Sequence, residues 1–269
     1  MEATQYVSPM NGQLTAPLAA VGRRVIDFAA AFGRFGGFTV SVARATPDLR
    51  TWGGLVAGSM KRLGVESLPI ALFIAAFTGI VLALQASYTF TGAVPLYFVG
   101  VLVGKTMILE LGPVLTGLAL AGRVGANIAA EIGTMRVTEQ VDALETLAYD
   151  PIAYLVVPRV IAGTLMFPVV VAFADAIGIV AGWITALNLL EMSTPEFLRG
   201  LRLFFEPFDV RYSLIKAASF GATVTALGCY FGYTTSGGAA AVGRSTTQAV
   251  VVSSMLILVL DAFWAVTLL

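Results

Sequence analysis

The chain has 269 residues, of which 58% are hydrophobic and only 12% charged, with 16 basic and 16 acidic side chains and a formal net charge of zero. Soluble domains carry roughly 25% charged residues, so this composition, with a mean hydropathy of +0.87, points to an integral membrane protein. Zero net charge argues against a nucleic-acid partner. The absence of histidine removes His-based catalysis and most zinc or haem sites, and the single Cys229 rules out an internal disulfide.

Residues 1–14 read as a loose polar tail. Residues 15–62 carry Arg23, Arg24, Arg34, Arg44, Arg50, Lys61 and Arg62, interleaved with Val21, Val25, Phe28, Phe32 and Phe35 at helical spacing. That pattern suits an amphipathic helix lying in the membrane interface with arginines toward anionic headgroups; a helix packed on the protein itself would show the same spacing. No cleavable signal is expected, because Arg34 and Arg44 interrupt the apolar stretch a twin-arginine leader would need.

Five apolar stretches are long enough to span a bilayer, at about 68–90, 96–122, 159–190, 213–233 and 247–269. They set the transmembrane domain at 63–269, after an N-terminal region of 1–62. Residues 191–211 are mixed and predict short helices outside the bilayer. A small-residue loop is expected at 234–243. Basic residues flanking the spans divide eleven to three in favour of the N-terminal side, which puts the N-terminus in the cytoplasm and the C-terminus outside. No internal repeat is evident, which weakens an inverted-repeat carrier.

The segment from Glu110 to Pro151 dominates the pattern. Gly117, Ala121, Gly125, Ala129 and Gly133 recur every fourth position, with Gly122, Ala126 and Ala130 one residue on. Such a ridge lets another helix approach closely. Arg123, Asn127 and Glu131 form a polar stripe beside it. A polar helix is predicted at 131–149, stopping before Pro151, with Val137, Val141, Leu144 and Ala148 on one face and Glu139, Asp142 and Glu145 on another. It is either a solvated cap or a lever for a cytoplasmic motor.

Gly100-Val-Leu-Val-Gly104-Lys105-Thr106 mimics a phosphate-binding loop, but the first glycine is one residue too close to the second and the segment is apolar. Nucleotide binding is therefore not expected in this chain. Glu110 lies thirteen residues before Arg123, about 20 Å of helix. A carboxylate at mid-span is costly and faces a cavity or a partner, so Glu110 is a substrate contact or a bond between helices. Lys105 is within snorkelling reach of the interface. Asp175 and Asp261 are lone acids in apolar runs, lining a pathway or bonding a neighbouring helix. Gly228 and Gly232 have the spacing of a close-packed helix pair.

The run LELGPVLTGLALAGRVGANIAAEIGTMRVTEQVDALETLAYDP, with Pro158-Arg159, the SGGAAAVGRSTTQAVV segment and the Leu260-Asp261 pair, closely resembles the signature of MlaE/YrbE-type permeases, the membrane subunits of ABC transporters associated with MCE proteins. The resemblance covers roughly residues 50–269. It implies an all-α homodimeric inner-membrane permease of five spans preceded by an interfacial helix. The expected partners are a second copy, a cytoplasmic ABC ATPase dimer that binds ATP and Mg, a periplasmic MCE hexamer and a small cytoplasmic accessory protein. The implied cargo is phospholipid or a similar lipid moving between inner and outer membranes, with no cofactor and no catalysis in this chain.

By position, the helix at 131–149 resembles the coupling helix, with Glu131, Arg136, Glu139, Asp142 and Glu145 facing the ATPase. Glu110, Leu82, Gln85 and Tyr88 resemble the lipid pocket, and Arg244 a further pocket or gate residue. Leu109 departs from the family pattern, which has arginine immediately before the glutamate; Lys105 is the substitute cation the sequence offers. Outside the resemblance, the residues alone also fit an ion-coupled carrier using Glu110 and Asp175, or a membrane scaffold.

Overall fold

A computed structural model describes residues 26, 29–30, 32–89, 94–190 and 192–268, and shows helices and turns with no strand among them. The chain divides into two units, Met1–Arg44 and Ala45–Leu269. In the first, residues 26, 29–30 and 32–44 are helical (α1); Val21, Val25 and Phe28 lie outside the described residues. All that follows concerns the second unit.

Its helices are α2 (Leu49–Leu63), α3 (Leu68–Thr89), α4 (Phe98–Thr106), α5 (Gly112–Leu120), α6 (Ala126–Val137), α7 (Gln140–Thr146), α8 (Val157–Leu189), α9 (Thr194–Leu203), α10 (Pro207–Tyr233) and α11 (Ala239–Leu268). Several are joined end to end. Five helical stretches are long and apolar enough to cross a membrane: Arg50–Thr89, Phe98–Val137, Ile152–Leu189, Pro207–Tyr233 and Ala239–Leu268. Exposed apolar side chains such as Phe73, Phe77, Phe173, Ile184, Met255 and Phe263 coat these helices, as expected of surfaces that meet lipid or another membrane subunit.

The observed boundaries differ from the expected ones where helices continue past the apolar runs. The first stretch begins at Arg50 and passes through a tight turn at Val65–Ser67. A Cβ on Gly64 would stand 2.9 Å from Met60 O and 3.1 Å from Met166 Cβ, so glycine eases the approach of this corner to α8. The second stretch runs 40 residues, about 60 Å, well beyond the hydrocarbon core. It contains two wide π-type turns, Met107–Leu111 and Ala121–Gly125. The expected loop at 234–243 is shorter, because α11 starts at Ala239.

The polar helix expected at 131–149 is not one helix. α6 carries the first part to Val137, the chain breaks at Thr138–Glu139 with Glu139 in the left-handed region (φ 62), and α7 restarts at Gln140. α7 ends at Thr146 rather than at Pro151. Ala148 adopts φ 61, and Tyr149 N–H bonds Leu144 O while Ala148 N–H bonds Glu145 O, a helix-ending pattern that normally takes glycine. Pro151 instead opens the third span, where Asp150 Oδ1 accepts from Ile152 N–H at 2.9 Å.

α8 and α10 form the centre. α8 packs on α2, α3 and α10, and α10 packs on α6 and α11. Glycines set the close approaches. A Cβ on Gly79 would stand 1.9 Å from Gly178 O, and one on Gly221 2.4 Å from Gly163 O. Gly117, Ala121, Gly125, Ala129 and Gly133 are all buried, whereas Gly122 is exposed and Ala126 and Ala130 are half-buried. On a regular helix a four-residue repeat drifts by about 40° per step; the wide turn at Ala121–Gly125 takes up that drift and keeps the ridge against α10 and α11. Gly228 and Gly232 press on Gly125 and Ala129 of the same chain, so their spacing serves internal packing.

Candidate functional site: a charged cluster inside the bundle

Both charged residues in the interior half of the second stretch sit on wide turns: Glu110 in Met107–Leu111 and Arg123 in Ala121–Gly125. The first turn has a local cause. Pro113 has no N–H to offer the carbonyl four residues back, which is that of Leu109. Lys216 of α10 supplies the missing donor: its Nζ lies 2.9 Å from Leu109 O, 2.8 Å from Glu110 Oε2 and 2.5 Å from Asp261 Oδ1 of α11. The contact to Asp261 is an ion pair rather than an aligned hydrogen bond. An ammonium has three donors, and here three acceptors surround it. The Tyr212 ring lies 4.8 Å from the same nitrogen.

The Lys216 side chain is fully buried, while the Glu110 and Asp261 side chains are 39% and 22% exposed. The cation is thus held from behind and the carboxylates form the open side. One ammonium between two carboxylates leaves an excess of one negative charge if all three are ionised. A turn away, Ser213 Oγ donates to Asp175 Oδ2 at 3.1 Å, and a Cβ on Gly112 would fall 1.6 Å from Asp175 Oδ1. On the other side, Trp264 Nε1 donates to Ser219 Oγ at 2.9 Å, tying α11 to α10 next to Asp261.

A separate apolar recess is lined by Phe77, Thr78, Val81, Leu82 and Gln85 of α3 and by Leu111, the chain neighbour of Glu110; Glu110 itself turns toward α10 and α11. Leu82 and Gln85 therefore share one surface. Tyr88 does not join it: it is 86% exposed on α3. Arg244 is exposed in the first turns of α11, seventeen residues before Asp261 and so about 26 Å along the helix. It stands apart from Glu110. Lys105 does not replace the family arginine. Its Nζ binds Asp209 at 2.7 and 2.9 Å, near the start of α10. The cation beside Glu110 is Lys216, which sequence reasoning missed.

A second cluster occupies the opposite end of the bundle from α9. Glu131 Oε1 accepts from Arg62 of α2 at 3.1 Å and from Arg159 of α8 at 2.9 Å, and Arg123 donates to Ser67. Glu131 is thus turned toward its own chain. Arg136 is also engaged internally, with Asp142 and with the Tyr233 ring. Glu139 and Glu145 are exposed, as are Leu147 and Tyr149.

The sequence from 56 to 267 matches the model of the family described as Permease MlaE. The chain belongs to the MlaE permease family. Among its relatives is a "Probable ABC transporter permease protein" of Rickettsia felis, 42% identical over 240 residues, covering 89% of this chain and 93% of the relative. The "Intermembrane phospholipid transport system permease protein MlaE" of Haemophilus influenzae is 34% identical over 245 residues, covering 91% and 94%. "Protein TRIGALACTOSYLDIACYLGLYCEROL 1, chloroplastic" of Arabidopsis thaliana is 35% identical over 202 residues, 75% of this chain and 58% of that protein. This MlaE-family chain is a multi-pass membrane protein, and Glu110, Lys216 and Asp261 all lie within the matched region.

Proposed function

We propose that the chain is the permease subunit of an ABC transporter that moves phospholipid, or a similar hydrophobic lipid, between inner and outer membranes. The observation that carries this reading is the Glu110–Lys216–Asp261 cluster inside apolar spans, on the same helical stretch as Leu111, which lines an apolar recess with Leu82 and Gln85. A lipid needs both: an apolar surface for acyl chains and a polar group that tolerates a headgroup inside the bundle. Relatives named as ABC and phospholipid-transport permeases support it.

In this reading the subunit works as a homodimer in the inner membrane, its N-terminus cytoplasmic and its C-terminus periplasmic. A separate ATPase dimer binds ATP and Mg and pushes on the α6–α7 segment, where Leu147, Tyr149, Glu139 and Glu145 are free to dock. The Arg62–Glu131–Arg159 contacts carry that push to α2 and α8. An MCE hexamer receives the lipid on the outer side, and a small accessory protein completes the cytoplasmic face. The 100–106 segment takes no part in nucleotide binding: Gly100 and Gly104 sit within α4, packed on α9.

A second reading, an ion-coupled carrier with Glu110 and Asp175 as proton sites, is favoured by Asp175 Oδ1, a buried oxygen without a hydrogen-bond partner among the described residues. The two are separated by isolating the tagged chain from its native membrane in mild detergent, with mass spectrometry of protein and lipid together. Recovery of a P-loop ATPase and an MCE protein with bound phospholipid is the expected result. Recovery of the chain alone, with activity that follows a proton gradient, would replace the motor-driven reading with the carrier.

A further inference from the structure

α9 lies at the end of the bundle away from α7, between the end of α8 and the start of α10. Its start is fixed by Ser193 and Glu196, which cap each other reciprocally, with Pro195 in the first turn. Its inner face is pressed into α4. A Cβ on Gly200 would stand 1.8 Å from Tyr97 O, one on Gly100 2.3 Å from Phe197 O, and one on Gly104 2.4 Å from Leu201 Cδ1. These contacts cover α4 from residue 97 to residue 104, about 10 Å of helix, so α9 lies alongside the first two turns of an apolar span rather than above it.

The outer face of α9 is amphipathic. Thr194, Pro195, Leu198, Arg199, Arg202 and Leu203 line an open groove. Phe204, Phe205 and Phe208, which follow α9 in the chain, are all 40% exposed or more. Arg199 and Arg202 are three residues apart and so share a face; the Arg199 guanidinium is steadied 5.2 Å over the Tyr97 ring. Neither forms an ion pair among the described residues. Among the described residues, the Glu196 carboxylate is engaged by Ser193 and that of Asp209 by Lys105, while Glu206 is exposed at the start of α10.

We propose that this face is a binding site for an anionic phospholipid, with the headgroup phosphate between Arg199 and Arg202 and the acyl chains along Leu198, Leu203 and the three phenylalanines. Arginine presents a planar fork that fits phosphate oxygens, and a helix with basic and aromatic residues on one face, held at the depth of a span's first turns, sits where headgroups meet acyl chains. The site is separate from the Glu110 cluster and does not depend on lipid being transported.

The test uses the full chain, purified in mild detergent and titrated with phosphatidylglycerol or phosphatidylcholine, with bound lipid counted by native mass spectrometry. The wild type should retain phosphatidylglycerol over phosphatidylcholine, and each arginine removed should lower that retention roughly fivefold, in Arg202→Gln and further in Arg199→Gln/Arg202→Gln. Arg202→Gln leaves the Tyr97 contact intact, so its result does not depend on the stacking. A fluorophore on Leu203→Cys (Cys229 is buried) should show apolar emission in phosphatidylglycerol nanodiscs, quenched by nitroxide-headgroup lipid. Equal retention by wild type and both variants, or water-like emission from the label, would overturn the proposal. So would loss of a bound acidic protein from the variants with lipid retention unchanged.

Discussion

Lys216 and Arg159 each hold a carboxylate of the same helical stretch, but only Lys216 does so out of reach of water. Their partners, Glu110 and Glu131, are 21 residues apart, about 31 Å of helix. Lys216 is fully buried and bonded on three sides. Glu131 and its second partner Arg62 are 40% and 55% exposed. A buried charge that loses its partner cannot recover the loss from solvent. An exposed pair can, so it contributes little and opens easily. The inner cluster is suited to holding a fixed polar surface inside the bundle. The outer one is suited to being a joint that reforms.

Breaking the inner cluster should give the largest effect. Lys216→Met leaves two partly exposed carboxylates unneutralised and should cost about 3 kcal/mol, the low end for breaking a buried pair, read as loss of detergent-solubilised half-life or Tm. Adding Glu110→Gln and Asp261→Asn to that variant should restore most of the stability without restoring transport. That result would separate the cluster's structural role from its functional one.

Steric pressure beside the cluster comes next. Gly112→Ala would place a Cβ on Asp175 and should cost about 1–3 kcal/mol by overpacking. Gly122→Ala, with no atom within 4 Å of its added Cβ, should be close to neutral in the same melting assay.

The outer joint should yield less. Arg62→Ala should cost no more than about 1 kcal/mol, with a difference from wild type that shrinks as salt is raised. Ala148→Gly should stabilise α7 by about 0.5–1 kcal/mol, because glycine adopts the left-handed geometry without the steric cost alanine bears; a small rise in Tm checks it.

The smallest effect concerns the α9 cap. Hydrogen bonds from the Ser193 side chain and then its N–H hold the Glu196 carboxyl below its usual value. The cap therefore contributes fully above the ordinary glutamate range and is lost as pH falls through the lowered value. Amide exchange at residues 193–197 should quicken there more than at the start of α8.

The spans were legible because apolar runs near the bilayer length have few other uses. The small-residue ridge was legible because close packing demands small side chains every turn. Lys216 is hard to read from sequence because it sits near the start of its span, where a basic residue reads as an interface anchor; Glu110 and Asp261 each lack a visible counter-charge, which is the available signal. The wide turns were hidden, since only Pro113 marks either of them. The break at Thr138–Glu139 was hidden too, because neither residue is a usual helix breaker. Lys105 and Glu131 lie on α4 and α6, but their partners lie on α10, α2 and α8, and sequence spacing does not report partners that distant.

The most direct test of the central claim measures lipid transfer and ATP hydrolysis together in proteoliposomes containing the chain and the proposed ATPase partner. Glu110→Gln removes one charge from the open side of the cluster and leaves Lys216 paired with Asp261. The account predicts that it abolishes or strongly reduces lipid transfer while the complex still assembles and hydrolyses ATP, and that Arg62→Ala leaves transfer largely intact. Lipid transfer by Glu110→Gln at the wild-type rate would contradict the assignment of this cluster as the lipid site.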